Sequence, residues 1–151
     1  VNVQLKSVGS GVIYKINGFD SSQGTIAIQC YRNPINFLQK MVLDFTNQYP
    51  TLQMAILIPT KEKLRTIGGV LRNRCSRIHN VLIETVDRVQ GLTVDLLIYY
   101  VPSDNPFCWN ENRFNVATSR SKGLTLVLYH QMILAPPRVQ QYLSASILEE
   151  I

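Results

Sequence analysis

Three cysteines, two histidines and one tryptophan are all that this chain of 151 residues carries of those types. Cys30, Cys75 and Cys108 are odd in number, far apart and without a CxxC pair. They read as thiols in a reducing compartment, not as a disulfide framework. His79 and His130 stand alone at no metal-ligand spacing, so no metal is assigned. No apolar run approaches the roughly 18 residues of a membrane span, and the opening residues do not read as a secretory leader. The location expected from these features is cytoplasmic or nucleoid-associated, with no membrane partner. A phosphate loop, GxxxxGK[ST], is also missing. The nearest glycine-rich piece, Gly9-Ser10-Gly11, lacks the third glycine of a dinucleotide fingerprint and precedes a strand pattern instead of following one. Such a domain does not cradle nucleotide phosphates by itself. Nor does any Ser/His/Asp or Cys/His grouping at a strand end suggest covalent catalysis.

What is present describes a globular protein. The length fits one domain spanning 1–151, able to bury roughly 68–70% of the surface its unfolded chain exposes. Apolar residues at 46% and charged residues at 17% exclude a disordered tail. The chain opens on Val1, not Met, and is expected to be a piece of a longer protein. Its net charge of +5 is unevenly spread: Lys61, Lys63, Arg65, Arg72, Arg74 and Arg77 face one acid, Glu62. A run of this kind fits a solvated helix face or a phosphate-binding patch, and alone it does not separate the two.

Periodicity gives the layout. GVIYKI (11–16) and TIAIQCY (25–31) predict strands separated by NGFDSSQG, which is all turn chemistry. Asn33-Pro34 predicts a helix start. Ile35, Leu38, Val42 and Phe45 then line one face of a helix to about Gln48, and Tyr49-Pro50 ends it. MAILI (54–58), VLIE (81–84), VDLLIYYV (94–101) and LTLVLY (124–129) predict further strands. Helices are expected from about Lys61 to Leu71, with Leu64, Ile67 and Leu71 inward, and over about Glu111 to Arg120. A last amphipathic helix, VQQYLSASILEEI, ends the chain within 136–151. Central strands that are apolar throughout are buried on both faces, as in a mainly parallel sheet between helices. Right-handed crossovers then put all strand C-termini on one edge, where open α/β sheets bind ligands. Pro59-Thr60, Glu84-Thr85 and Pro102-Ser103 should line that edge.

Two polar clusters remain. ETVDRVQGLTVD (84–95) crowds charges, an amide and hydroxyls between two apolar runs, and NRFNVATSRSKG (112–123) holds Arg113, Arg120 and Lys122. These cations must face water or an anion. A solvated helix end and a cationic clamp on phosphate both fit.

Together, TVDRVQGLTVD and NRFNVATSRSK resemble motifs V and VI of superfamily 1 helicases, and AILIPTKEKLRTI (55–67) resembles motif IV. The order and spacing are those of the second RecA-like motor domain. The resemblance covers about residues 34–130, leaving the strand-rich residues 1–32 unplaced. It implies a RecA-like three-layer α/β/α sandwich with a mainly parallel central sheet. It also implies an ATP-dependent helicase in the full-length protein, with ATP and Mg²⁺ bound mainly by a first motor domain outside this chain. The missing phosphate loop is then expected, and the chain alone should be inactive. By similarity Arg120 is the arginine finger, which neutralises charge building on the transferred phosphate and is worth roughly 10³–10⁵ in rate. Gln90, Gly91, Arg113 and Lys122 would face the ATP cleft. Thr60, Thr85, Arg72 and Arg74 would contact nucleic-acid phosphates. The implied partners are that first domain and a single-stranded nucleic acid, DNA favoured over RNA. Where many members carry Glu two residues after the motif V glycine this chain has Thr93, as in some members that translocate 5′ to 3′. Phe107 and Trp109 could stack on a base, or pack against the core or the partner domain. The alternatives are a non-catalytic nucleic-acid-binding or scaffold domain on the same fold, and a small-molecule-binding α/β domain.

Overall fold

Strand β6, Val94–Val101, is buried at all eight positions, and β4, Met54–Ile58, at all five. Only a strand with neighbours on both sides and cover on both faces can bury such a run. The computed structural model describes residues 14–30, 34–75, 80–88, 93–102, 115, 119 and 121–130, and places both strands at the centre of a five-stranded sheet. The other three are β3 (Thr25–Cys30), β5 (Val81–Thr85) and β7 (Ser121–His130). Spatial order is β3-β7-β6-β4-β5, and every neighbouring pair is parallel. The expected α/β architecture with a mainly parallel sheet is therefore present.

Helix α1, Ile35–Gln48, connects β3 to β4. Its buried residues Ile35, Leu38, Met41, Val42 and Phe45 repeat at helical spacing and face the sheet. Against them stand Ile28, Met54, Ile56, Ile58, Leu96, Ile98, Leu124, Leu126 and Leu128. Each fully buried side chain of this size contributes about 1.5–3 kcal/mol relative to exposure. The helix stops where Tyr49 leaves the helical region (φ −133°, ψ 66°), one residue before Pro50. The opposite face buries Ala55, Leu57, Leu97, Tyr99, Val101, Val127 and Tyr129.

The connection from β4 to β5 was expected as one helix over Lys61–Leu71. It runs to Arg74, and it is not regular. A short α segment, α2 (Lys61–Lys63), passes into a π-helical turn over Leu64–Gly68, and α3 (Gly69–Arg74) completes it. Ile67 and Leu71 point inward as expected, while Leu64 is half-buried.

Residues before α1 also differ from a plain strand–turn–strand. NGFDSSQG contains a strand of its own: β1 (Lys15–Ile16) and β2 (Phe19–Asp20) pair antiparallel as a tight hairpin. Asn17 (φ 48°) and Gly18 (φ 89°) form its two-residue loop, the Asn-Gly combination that such a turn selects. The third strand, β3, joins the main sheet beside β7, so this part of the chain belongs to the same core.

Candidate functional site

The two ends of the sheet are separated by the length of β6, roughly 23 Å for eight residues. At the C-terminal edge, β4 ends in Ile58-Pro59 and Thr60 turns the chain into α2. Thr60 has extended backbone (φ −123°, ψ 152°), and its Oγ1 accepts a hydrogen bond from the Lys63 amide at 3.2 Å, an N-cap. On the neighbouring strand, Thr85 pairs in register with Ile58, so Thr60 and Thr85 stand on adjacent strand ends. Thr85 is only 2% exposed, and its Oγ1 has no hydrogen-bond partner among the described residues. Its amide donates to Glu84 Oε1 at 3.0 Å. A buried hydroxyl without a partner costs about 1–3 kcal/mol, so Thr85 is poised to bond any donor or acceptor that reaches it. The 3₁₀ turn Val86–Arg88 follows, with Asp87 and Arg88 exposed. The chain leaves β4 toward β5 on one side and β6 toward β7 on the other. That reversal, beside Thr60 and Pro102, is where a crevice forms in open α/β sheets.

The basic run divides into two sets. Lys61, Lys63 and Arg65 are exposed on α2 and the π turn. Arg72 and Arg74 are also exposed, but each is tied to a neighbouring element. Arg72 Nη2 donates to the Ile83 carbonyl of β5 at 2.9 Å. Arg74 Nη1 donates to Asn36 Oδ1 and Gln39 Oε1 of α1, both at 3.3 Å. These two arginines fasten α3 to the sheet and to α1, whatever else they contact.

At the N-terminal edge the geometry centres on Asp95. The β6–β7 register shifts between Val94 and Leu96, a bulge that takes Asp95 out of the regular ladder. Its Oδ2 accepts the Gln53 amide at 2.9 Å, and its Oδ1 lies 3.8 Å from Lys122 Nζ. The Lys122 side chain is 61% exposed, so this contact is weak and leaves the ammonium open to an anion. Thr93, just before β6, is exposed on the same edge. Lys122 therefore sits at the end of the sheet opposite Thr60 and Thr85. Gln90, Gly91, Arg113 and Arg120 lie outside the described residues, as do Phe107 and Trp109. Within the expected 111–120 helix, the Ser119 amide donates to the Asn115 carbonyl at 3.1 Å, an i to i+4 bond.

Sequence reasoning missed Tyr14. This residue precedes β1, is 1% exposed, and reaches the N-terminal edge to bond both β6 and β7. Burial pushes its hydroxyl pKa well above the ordinary tyrosine value, so it stays protonated at neutral pH. The one signal for it was an aromatic residue in an apolar strand pattern, and that signal does not identify a partner. Burial likewise pushes the Cys75 thiol up, and Cys75 packs in the core at 1% exposure.

No protein-family model matches the chain. It is 29% identical over 117 residues to replicase polyprotein 1ab of Bat coronavirus HKU9, a match over 74% of this chain and 2% of that polyprotein. It is 32% identical over 90 residues to replicase polyprotein 1ab of Alphamesonivirus 1, a match over 59% of this chain and 2% of the polyprotein. The chain thus spans 2% of the length of the curated relatives it matches. Among solved structures it superposes on the C-terminal domain of a possible DNA helicase from Lactobacillus plantarum WCFS1. That superposition has a TM-score of 0.55 and 13% identity, and covers 83% of this chain and 82% of the other. At that identity the likeness speaks for the fold: the five parallel strands and their helices form the RecA-like α/β arrangement found in that helicase domain.

Proposed function

We propose that this chain is the second motor domain of an ATP-dependent superfamily 1 helicase, working opposite a first RecA-like domain that supplies the phosphate loop and holds ATP and Mg²⁺. The observation that carries the reading is the division of the motif residues between two ends of one RecA-like sheet. Lys122 and Thr93 stand at the N-terminal edge, and in sequence Lys122 follows Arg120 by two positions. Thr60 and Thr85 stand at the C-terminal edge beside the exposed Lys61, Lys63 and Arg65. A translocating motor needs such a separation, because its nucleotide and its strand must be held at different places and coupled through a rigid body. Similarity to two replicase polyproteins supports the same reading, since a motor that moves along a strand has a natural place in replication.

In this mechanism Arg120 offers a planar fork of donors to the γ-phosphate oxygens as the bond to them loosens. Gln90, Gly91, Arg113 and Lys122 line the cleft around it. Thr85 and Thr60, with the basic run that includes Arg72 and Arg74, hold the sugar–phosphate backbone without reading sequence. Opening and closing of the two domains then steps the protein along a single strand of DNA or RNA.

The test is made in the full-length protein. Arg120→Ala should leave the melting temperature and ATP affinity nearly intact and cut strand-stimulated hydrolysis by about 10³–10⁵. Arg120→Lys should rescue poorly, because a point charge on a flexible stem does not reproduce the fork. Arg138→Ala, at a position outside the three motif-like stretches of the sequence, serves as a control. Full hydrolysis in Arg120→Ala would end the finger assignment.

A further inference from the structure

The edge that carries Lys122 is held by a residue from the part of the chain that the helicase motifs do not cover. The Tyr14 ring is wedged edge-on against Phe45 and Tyr49 of the α1 end, with centroids 5.6 and 5.8 Å away. Its hydroxyl donates to the Asp95 carbonyl at 2.9 Å and accepts from the Leu124 amide at 3.2 Å. One phenol thereby spans the first turns of β6 and β7. Ser121 closes the other side: its Oγ lies 3.2 Å from the Asp95 carbonyl and 2.9 Å from the Leu124 carbonyl, and it accepts the Gly123 amide at 3.1 Å. Gly123 leaves no slack, since a Cβ there would lie 3.0 Å from the Asp95 carbonyl and 3.3 Å from Ser21 Cβ. Ser21 itself is buried and bonded to Tyr14 through backbone and side chain.

We infer that Tyr14 is a positioning residue for the segment Ser121–Leu124 and, through it, for the phosphate-directed cation at Arg120. The inference rests on the finger reading above. Arg120 immediately precedes Ser121 in the sequence, so what holds Ser121 bears directly on it. A finger works only when its donors meet the oxygens to within a fraction of an ångström, and a misplacement of about 1 Å can cost a hundredfold. The start of a strand at an open sheet edge would fray without support. The Tyr14 hydroxyl removes that freedom by tying β7 to the bulge in β6 from outside the sheet.

A double-mutant cycle in the full-length protein separates this role from a merely structural one. ATP turnover is measured with saturating single-stranded nucleic acid, at a temperature where each variant is folded by circular dichroism. Tyr14→Phe keeps the wedged ring and removes the two bonds. It should lower kcat by about tenfold to a hundredfold, with the KM for ATP and the strand affinity within about twofold of the parent. In an Arg120→Ala background it should lower kcat no further. Ser121→Ala, which does not disturb the aromatic wedge, should act in the same direction and settles the matter if Tyr14→Phe does not fold. Full kcat in folded Tyr14→Phe, or an equal loss in the Arg120→Ala background, overturns the positioning role. Full turnover in Arg120→Ala overturns the finger reading and this inference with it. Lost turnover in Arg120→Ala beside normal turnover in Tyr14→Phe overturns the inference alone.

Discussion

Tyr14 also has a thermodynamic signature that can be read without the rest of the protein. Its phenol is buried and held protonated, whereas in the unfolded chain it titrates near the ordinary value of about 10. The unfolded state therefore loses a proton first as pH rises. Stability is intact below about pH 10 and declines above it, with a slope approaching 1.4 kcal/mol per pH unit for this group. Burial moves Tyr129 in the same direction, so both tyrosines contribute to an alkaline weakness. Tyr14→Phe should be less stable at pH 7 by about 1–3 kcal/mol, since the Leu124 amide and Asp95 carbonyl lose their partner. It should also show a shallower decline between about pH 10 and 11.5. Urea midpoints across that range test this, and parallel declines in parent and variant would refute the buried phenol. At this scale the sequence was least legible. The strand-end positions of Thr60 and Thr85 could be read because they follow apolar runs, and Lys122 stands out as a cation of a polar cluster. Tyr14 could not, since its partners are 81 and 110 residues away and no local pattern encodes them.

Elements were legible where burial is continuous. β4 and β6 have the bounds that their apolar runs predict, because a strand covered on both faces stays apolar along its length, and in β6 the one charged residue, Asp95, sits at the bulge. β7 starts at Ser121 and not at Leu124, because its first three residues are held by pairing and by the Asp95 contacts instead of by hydrophobicity. The π turn over Leu64–Gly68 was equally hidden, since an extra residue in one turn leaves no mark on an 11-residue apolar period. The irregular helix leaves Lys61, Lys63 and Arg65 exposed while Arg72 and Arg74 are occupied with holding α3. Reversal of the first three to Glu should therefore weaken single-strand binding without loss of stability. The slope of log affinity against log salt should fall by about 0.7 for each lost phosphate contact. Reversal of Arg72 and Arg74 should lower the melting temperature as well. Unchanged affinity and slope in the triple variant at low salt would make the run a solvated face.

The architecture of the whole molecule was foreseen from alternating apolar runs and helical periods. The attachment of its first part was not, because a hairpin of two-residue strands and an edge strand carry no motif. On the function proposed above, it is half of a machine. Purified residues 1–151 should show no ATP turnover and at best weak ATP affinity, because the sequence holds no phosphate loop. Turnover that copurifies with the chain and disappears in Arg120→Ala would overturn the half-site arrangement.

The strand order has one more consequence, which concerns time. Among the described residues β3 has one neighbour, β7, and the partners Thr25 and Thr125 are one hundred positions apart. During synthesis the first strand of the sheet emerges early and must wait for the last to be made before it can pair. Until then its apolar edge is open to the wrong neighbours, the situation in which parallel sheets fold slowly and aggregate. A ribosome that stalls before Ser121 releases a chain whose central strands can assemble while β3 is left with nowhere to go.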